Sequence, residues 1–412
     1  MTGVHDVAVI GAGPAGLSTA YELKRIGLDP LVLEKTAAVG DVWRNHYDGV
    51  RLNTGRFFSQ LPGNPFPRSA GGWPSRDEVV RVLETFPERG GFKVRTGINI
   101  AKLEYDRQRD TWAISSQDGE TFESRAVVVA TGCACTPIIP QWDGMETFSG
   151  EIIHSSKFRN AKAYAGKNVL VVGSGNSAAE IASRLAECAK TVTLSVRTPP
   201  HILPKSVFGI PLAGIGVAIR PLPPAWTDGL LNVLRRLFIG DLTPYGLPFP
   251  ESPVSQQFAR TQVVPIVYDP FAEDIRAGSI RVVGQIKKIE GQTVHAFNSI
   301  GAKPPEDREQ ATLNVDAIVV GTGFRSGLTK LIQVPGITTE EDRPVAQGDH
   351  EFPDAPRLYI IGHFVPLSGY LREIRLDAGR IARKIRKQLA ERERPWPSKP
   401  ASIHADSGGI GR

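Results

Sequence analysis

Three glycines near the start of the chain carry a spacing that could hold a nucleotide. Gly11, Gly13 and Gly16 stand at the G-x-G-x-x-G spacing, directly after the apolar residues 7–10. In such a unit the first glycine permits a tight turn, the second lets the backbone approach a pyrophosphate, and the third lets helix and strand pack closely. The phosphates would rest on the N-terminus of the following helix. The residues predicted to meet them are Gly11, Gly13, Pro14, Ala15 and Gly16.

The acid that follows completes this unit. A second apolar run, 30–33, ends in Glu34, where a carboxylate can accept hydrogen bonds from a ribose diol. An acid at this place favours a ribose without a 2′-phosphate. The first unit is therefore predicted to bind FAD or NAD rather than NADP.

The same pattern recurs at residue 168, as NVLVVGSGNSAAEIASRLAECAKTVTLSVR. This internal repeat ends in Arg197, where the first copy has an acid, and an arginine there can pair with a 2′-phosphate. Two copies predict two dinucleotides, FAD at the first and NADPH at the second. The residues predicted to bind NADPH are Gly173, Gly175, Asn176, Ser177, Ala178 and Arg197.

The elements that must position these residues predict an α/β fold. We expect two Rossmann-like dinucleotide-binding domains, the second inserted in the first, with a small helical insertion. Two buried strands that each run into a Thr-Gly pair, Thr131–Gly132 and Thr322–Gly323, look like paired crossings between the domains. The predicted ranges are 1–147 with 328–395 for FAD, 148–327 for NADPH, 201–245 for the insertion, and 396–412 for a disordered tail.

Two irregular regions border the predicted sites. The loop after Glu34 is long and rich in Gly, Pro and aromatic residues, as expected if it wraps a flavin. The residues of this loop that are candidates for flavin contacts are Trp43, Arg44, Tyr47 and Asn53. The alternative is that its aromatic residues only pack in the core.

The apolar stretch 207–219 is too short and too interrupted to span a bilayer. We predict a buried or lid-like helix there, with a homodimer contact or peripheral membrane contact as alternatives.

Further expectations concern the second half of the chain and its surroundings. Residues 261–298 are predicted to form short strands. A helix is expected from about Leu376, with its N-terminus near Asp377 facing the flavin.

The net charge is +6, but basic residues are spread along the chain, which argues against binding of nucleic acid. Three cysteines, without a C-x-x-C pair, argue against a disulfide framework and for a reducing cytoplasm. We expect no integral membrane segment, no secretion signal and no metal site.

One further motif resembles a known family. Between the two glycine motifs the chain reads FSGEIIHSSKF, with Phe148, Gly150, His154 and Phe158 at the F-x-G-x-x-x-H-x-x-x-F spacing. This resembles the identifying motif of the flavin-containing monooxygenases and differs from the Baeyer-Villiger version, which ends in Trp-Pro. The stretches YDGVRLNT, VRTPPHILPK, GDLTPYGL and SIRVVGQIKKIEG look most like the YUCCA branch and its short bacterial relatives.

The resemblance implies a chemistry and a set of site residues. NADPH would reduce FAD, O2 would add to the flavin as a 4a-hydroperoxide, and one oxygen atom would pass to a small organic substrate. Asn53 falls where the family places a flavin-site asparagine and is the candidate catalytic residue; His154 is expected to link the domains. The predicted FAD contacts beyond the glycine turn are Glu34, Lys35, Val42, Trp43, Arg44, Asn53, Thr131, Gly132, Thr322, Gly323 and Leu376.

Several reactions remain open at this stage. The leading prediction is oxygenation of nitrogen or sulfur. The alternative is YUCCA-like oxidative decarboxylation of a 2-oxo acid or another carbonyl oxygenation, for which Arg51, Arg372 and Arg375 are candidate partners of a substrate carboxylate. An NADPH-dependent flavin reductase or oxidase would use the same architecture, but a disulfide reductase needs a redox cysteine pair, and Cys133 and Cys135 have the wrong spacing. A cofactor-binding sensor without turnover is the remaining class.

Overall fold

The computed structural model describes residues 3–300 and 309–393. The predicted disordered tail, 396–412, lies outside the described residues. The strands, in chain order, are β1 His5–Ile10, β2 Pro30–Leu33, β3 Val94–Arg95, β4 Ile100–Asp106, β5 Thr111–Ser116, β6 Thr121–Val129, β7 Thr136–Pro137, β8 Glu151–His154, β9 Asn168–Val172, β10 Thr191–Ser195, β11 Ser206–Val207, β12 Ile210–Pro211, β13 Ile280–Val283, β14 Ile286–Glu290, β15 Thr293–Phe297, β16 Gln310–Asn314, β17 Ala317–Val320, β18 Phe324–Arg325 and β19 Leu358–Ile360.

The helices connect these strands. They are α1 Pro14–Arg25, α2 Asp41–Arg44, α3 Arg76–Gly90, α4 Asn176–Ala186, α5 Leu212–Ile219, α6 Pro224–Phe238, α7 Val254–Thr261, α8 Asp269–Arg276, α9 Leu328–Leu331 and α10 Tyr370–Glu393. Ser75 caps α3 as a capping box: its side chain accepts from the Glu78 amide, while the Glu78 carboxylate accepts from the Ser75 amide.

The first sheet has seven strands. Its path is β3-β2-β1-β6-β5-β4, and β19 also pairs with β6. The strands β3, β2, β1, β6 and β19 are mutually parallel, whereas β4 and β5 continue from the start of β6 as an antiparallel meander. The residues 126–129 of β6 are fully buried because strands flank them on both sides and helices cover the sheet.

The second sheet has five parallel strands in the order β13-β10-β9-β17-β8. A three-stranded antiparallel sheet, β14-β15-β16, follows β13 in the chain. The chain crosses between the two large sheets twice, and the crossings pair as β7 with β18, Thr136 opposite Arg325. These sheets correspond to the two predicted nucleotide units; the residue ranges assigned to the domains stay a prediction.

The insertion contains the short hairpin β11–β12 and the helices α5 and α6. Helix α6 keeps Leu231 and Arg235 buried and turns an apolar stripe outward. The exposed side chains of this stripe and of the adjacent hairpin are Phe208, Ile210, Trp226, Leu230, Val233, Leu237 and Phe238. A homodimer contact there stays a prediction.

Two expectations about elements are wrong. Helix α10 begins at Tyr370, so Leu376 and Asp377 lie in its second turn and not at its N-terminus. The stretch 261–298 is not all strand, because α8 occupies Asp269–Arg276. Phe271 and Ile275, four residues apart, pack into the core on one face of α8, and a proline stands in its first turn. That spacing was the signal for a helix.

Candidate active site

The first glycine turn has the geometry of a phosphate cradle. Gly11 has φ 105°, and a Cβ at Gly16 would lie 1.8 Å from the carbonyl oxygen of Gly11, so α1 can approach β1 closely only without a side chain there. A Cβ at Gly13 would meet no atom within 4 Å. The space beside Gly13, at the N-terminus of α1, is open to a ligand.

Glu34 lies at the end of β2 as predicted, and its carboxylate is buried and held by the chain. One oxygen accepts from the Ala12 amide at 2.7 Å, and the other accepts from the amide and hydroxyl of Thr36, each at 2.9 Å. A carboxylate has about four acceptor sites. These three bonds orient it and leave a lone pair for a ribose hydroxyl.

Two residues at the carboxyl edge of the first sheet have buried polar atoms without partners in the described chain. Thr131 follows β6 and His363 follows β19, and the two strands are neighbours. The Thr131 hydroxyl and both ring nitrogens of His363 are buried with no hydrogen-bond partner among the described residues, and His363 is only 6% exposed. Burial lowers the pKa of His363 to about 4, so the ring is neutral. Buried polar groups need partners, and a ligand at this edge would supply them.

His363 was missed from the sequence, although a signal was present. The buried run 358–361 is followed by Gly362 and His363, just as a buried strand precedes each of the two glycine motifs. Because carboxyl ends of parallel strands meet at one sheet edge, the residues after β19 are expected at the same edge as Thr131.

The short helix α2 is tied to the glycine turn. Gly40, with φ 68°, precedes it and donates its amide to the Ala12 carbonyl. Trp43 is half-buried against the first core, while Lys35 and Val42 are exposed. The Arg44 side chain is exposed and pairs with Glu84 at 2.9 Å. The structure thus brings α2 to the turn, and its FAD contacts stay predictions.

The second glycine turn repeats the first. Gly173 has φ 136°, and a Cβ there would lie 2.3 Å from the Gly321 carbonyl oxygen. A Cβ at Gly175 would meet no atom within 4 Å, so the N-terminus of α4 is also open. Ala178 is buried where the first copy has its third glycine, and Ser177 is partly exposed.

Arg197 lies two residues beyond β10, at the edge where the second turn opens. Its side chain is exposed and has no hydrogen bond or ion pair with any described residue. The neighbouring Ser195 hydroxyl is instead committed, since it donates to the Gly284 carbonyl at 2.8 Å. A free guanidinium at this place is available to an anionic group, as the NADPH prediction requires.

Asn53 links the loop that follows the first nucleotide unit to the second glycine turn. Its amide nitrogen donates to the side-chain oxygen of Asn176, the first residue of α4, at 3.4 Å. Asn176 is itself fixed: its oxygen accepts from the Val267 amide and its nitrogen donates to the Pro265 carbonyl. The predicted catalytic residue therefore stands between the FAD loop and the NADPH turn.

Tyr47 does not face the first site. It is buried in the core of the second unit, where its hydroxyl donates to Glu180 at 3.0 Å. Burial beside this carboxylate raises the pKa of Tyr47. Its role is to pack the loop against α4, which confirms the alternative of core packing for this residue.

The second crossing between the two large sheets is fixed by His154 of the F-x-G-x-x-x-H-x-x-x-F motif. The carbonyl of Gly323 accepts a hydrogen bond from Nε2 of His154 at 3.0 Å, and Nδ1 of His154 accepts from the Ser156 amide at 3.2 Å. These bonds fix one tautomer, and burial lowers the pKa of the ring. The Thr322 hydroxyl donates to the Ile138 carbonyl. His154 thus ties β8 to the crossing; the cofactor contacts of Gly132, Thr322 and Gly323 stay predictions.

The true N-terminus of α10 lies close to the loop of Asn53. A Cβ on Gly369, which precedes the helix, would lie 3.3 Å from the Thr54 side chain. The acid in the first turn, Glu373, accepts from Ser368 and pairs with Arg220 and Arg372. Leu376 is partly buried one turn further on.

Two nucleotide turns, each open at its middle glycine, together with a loop of the first unit that reaches the second turn through Asn53 and Asn176, define a two-dinucleotide flavoprotein oxidoreductase. A model of the pyridine nucleotide-disulphide oxidoreductase family matches residues 8–206. The chain is 30% identical over 396 residues to indole-3-pyruvate monooxygenase YUCCA1 of Oryza sativa subsp. japonica, covering 95% of this chain and 94% of that protein. The chain belongs to the YUCCA-type flavin monooxygenase family.

Solved structures share the fold. The flavin-containing monooxygenase from Stenotrophomonas maltophilia has a TM-score of 0.66 at 23% identity, covering 93% of this chain and 98% of that one. Cyclohexanone monooxygenase from Rhodococcus sp. Phi1, bound to NADP+, has a TM-score of 0.69 at 19% identity, covering 94% and 85%. The predicted family, the α/β fold with two Rossmann-like units, the cofactors FAD and NADPH, and the flavin monooxygenase class are confirmed.

Further features of the described chain concern its cysteines, its metal-ligating side chains and its helices. Cys133 and Cys135 are exposed free thiols. Within residues 3–300 and 309–393, no three His, Cys, Asp or Glu side chains form a group that could hold a metal ion. The helices of these same ranges include none with the length and apolar character needed to cross a membrane.

Proposed function

We propose that this NADPH- and FAD-dependent monooxygenase oxygenates a 2-oxo acid at its carbonyl group, with loss of the carboxylate as CO2. The observation that carries the proposal is the 30% identity to an indole-3-pyruvate monooxygenase along 95% of the chain. This reaction replaces nitrogen or sulfur oxygenation as our leading hypothesis.

FAD, when bound, would supply the redox chemistry: with two electrons from NADPH, one oxygen atom of O2 enters the product and the other leaves as water. The 2-oxo acid would thereby lose CO2 and become a carboxylic acid one carbon shorter. The chain's own groups bind and orient. In this proposal Glu34 holds the ribose of FAD, Thr131 and His363 give their unpaired polar atoms to the flavin, and Arg197 holds the 2′-phosphate of NADPH. Asn53 positions the reacting groups between the two turns.

A substrate carboxylate needs a cation, and Lys205 fits this role. Its ammonium lies 5.2 Å from the centre of the Trp73 ring, is half-buried, and forms no ion pair with a described carboxylate. Burial lowers the pKa of Lys205, the charges of Glu180 and Asp269 raise it in part, and the charge of nearby Arg51 lowers it further. The indole N–H of Trp73 is buried without a partner in the described chain. Lys205, Trp73 and Arg51 thus offer donors at one place.

The earlier candidates for the carboxylate fit less well. The Arg372 guanidinium pairs with Glu373, and Arg375 is exposed on α10. Arg51 donates to the Trp73 carbonyl at 3.0 Å, which leaves part of its guanidinium free beside Lys205.

Oxygenation of nitrogen or sulfur is the second candidate. It is favoured by Asn53, a neutral amide whose oxygen has no hydrogen-bond partner in the described chain. A soft amine or thioether needs access and protection from water but no cation. This candidate therefore predicts no role for Lys205.

The test is turnover of purified, FAD-loaded enzyme with NADPH, O2 and either indole-3-pyruvate, thioanisole or trimethylamine. We expect one CO2 per 2-oxo acid consumed, and Lys205→Met should raise KM for the 2-oxo acid about 10- to 100-fold through loss of a charge-assisted contact. Lys190→Met, an exposed lysine, is the matched control. Oxygenation of the thioether or amine without consumption of the 2-oxo acid would establish the second candidate instead.

A further inference from the structure

A cavity of about 290 Å³ lies between helix α6 and the segment 250–254. Part of its wall is apolar, and part carries polar and charged side chains. The apolar lining comes from Leu203, Leu231, Pro250, Pro253 and Val254, and the polar lining from His201, Asp228, Asn232, Arg235, Glu251 and Ser252. Its size suits a small molecule.

The buried cation in this lining is Arg235, which is 9% exposed. Its guanidinium lies 3.9 Å from the centre of the Phe249 ring, and one terminal nitrogen donates to the Asn232 side chain at 2.7 Å. Its Nε is buried with no partner among the described residues. It also forms no ion pair with any described carboxylate, although a buried charge without a counter-ion is costly.

The other ionisable groups at the cavity do not neutralise Arg235. The Asp228 carboxylate accepts from both the amide and the hydroxyl of Ser255. Nε2 of His201 donates to the Ser252 carbonyl at 3.0 Å, and burial lowers the pKa of this ring, so it is uncharged. Glu251 is exposed and forms no ion pair with Arg235. Burial and the charge of Arg236 lower the pKa of Arg235, and the charge of Asp241 raises it. Among the buried ionisable groups of the lining, the one with an unpaired polar atom is therefore the cation Arg235.

We propose that this cavity binds a small organic carboxylate, with Arg235 as its counter-ion and the apolar wall in contact with its hydrocarbon part. Arginine suits this role because its planar guanidinium can donate two parallel hydrogen bonds to a carboxylate. The proposal does not depend on the reaction proposed above.

The cavity adjoins the second nucleotide turn through the backbone. The Leu203 amide donates to the Ile266 carbonyl, and the Ile266 amide donates to the His201 carbonyl. The residues on either side of Ile266, Pro265 and Val267, make the hydrogen bonds that fix Asn176. A carboxylate bound here could be part of the substrate or a separate small effector. The chemistry is the same, and kinetics separates the two sources.

The probe is benzoate, titrated calorimetrically into FAD-loaded enzyme. We expect saturable binding of one benzoate per chain, weakened at least 10-fold by Arg235→Met. Arg236→Met changes the exposed arginine next to it on α6 and should leave the affinity unchanged. Lys205→Met should also leave it unchanged, since that cation belongs to the other site. Absence of saturable binding, or equal affinity in wild type and Arg235→Met, would overturn the proposal, as would loss of binding in Lys205→Met alone.

A gain of affinity provides a second test if Arg235→Met does not fold. Asp228→Asn removes a negative charge from the lining and should tighten benzoate binding several-fold; unchanged or weaker binding contradicts the proposal. In steady-state assays, competition between benzoate and the oxygenated substrate that Arg235→Met abolishes would assign the cavity to the substrate. Competition that only Lys205→Met abolishes would come from the site of Lys205. A change in kcat without competition would assign it to an effector.

Discussion

Asn53 donates a hydrogen bond to Asn176, 3.4 Å away, although 123 residues separate them in the chain. One belongs to the loop that follows the first nucleotide unit, and the other begins the helix of the second. The pair is a polar contact between the two units, and we predict that it lies where the two dinucleotides approach each other.

We expect Asn53→Ala to spare reduction of FAD by NADPH and to impair oxygenation. Loss of a hydrogen bond at the reacting groups should lower product formed per NADPH consumed about 10-fold, which corresponds to about 1.4 kcal/mol. The measurement compares rates of NADPH oxidation with yields of product and hydrogen peroxide. Asn99→Ala, which changes a partly exposed asparagine bonded to Gln117 in the first sheet's antiparallel part, is the control. An unchanged product yield would remove Asn53 from the site.

Arg197→Ala should raise KM for NADPH more than KM for NADH. A charge-assisted contact to the 2′-phosphate contributes about 1 to 3 kcal/mol, or roughly 5- to 150-fold in KM for NADPH alone. Steady-state kinetics with both nucleotides measures this ratio. The control is Arg281→Ala, an exposed arginine opposite Thr193 on the adjacent strand. If KM rises equally for both nucleotides, the phosphate assignment is wrong.

Gly13→Ala and Gly16→Ala should fail in different ways. A Cβ at Gly13 meets no protein atom, so Gly13→Ala should fold but bind FAD at least 10-fold more weakly because the methyl group stands where the pyrophosphate approaches. A Cβ at Gly16 collides with the Gly11 carbonyl, so Gly16→Ala should destabilise the fold by about 1 to 3 kcal/mol. Thermal melts and bound FAD per chain distinguish them. If Gly13→Ala bound FAD as tightly as the wild type, the prediction that the pyrophosphate lies beside Gly13 would be wrong.

His363 should make the fold sensitive to acid. Its pKa of about 4 in the folded chain lies below the ordinary value of 6.5, so protonation favours the unfolded chain. The effect is absent above pH 6.5 and grows as pH falls toward 4, by about 1.4 kcal/mol for each pH unit.

The measurement is the free energy of unfolding of wild type and His363→Gln at several values between pH 7 and 4.5. We expect the variant to lose less stability over this range than the wild type. His350→Gln, an exposed histidine, should follow the wild type. Parallel curves for wild type and His363→Gln would show that the ring is not held neutral.

The sequence predicted both nucleotide turns because their function requires local features: glycines at fixed spacing, a buried strand before them and a helix after. Gly11, Gly13 and Gly16 stand as the motif requires, and Glu34 and Arg197 lie at the ends of the expected strands. These features depend on neighbours in the chain and can therefore be recognised without a structure.

What the sequence did not reveal depends on contacts between distant segments. Tyr47 pairs with Glu180 in the other unit, and no local pattern indicates this. The start of α10 was placed too late because Tyr370 and Leu371 follow a Pro- and Gly-containing loop, and the helical periodicity becomes clear only further on. His363 was missed because its importance comes from the neighbouring strand β6.

The pairing of β7 with β18 puts the outgoing and returning chain side by side. The second sheet does not interrupt the first one. Strands β6 and β19 are direct neighbours, although the whole second sheet lies between them in sequence. A segment whose two ends meet in space can be added to a host without moving the host's strands. The second nucleotide-binding unit is thus inserted into the first without interrupting the first unit's sheet.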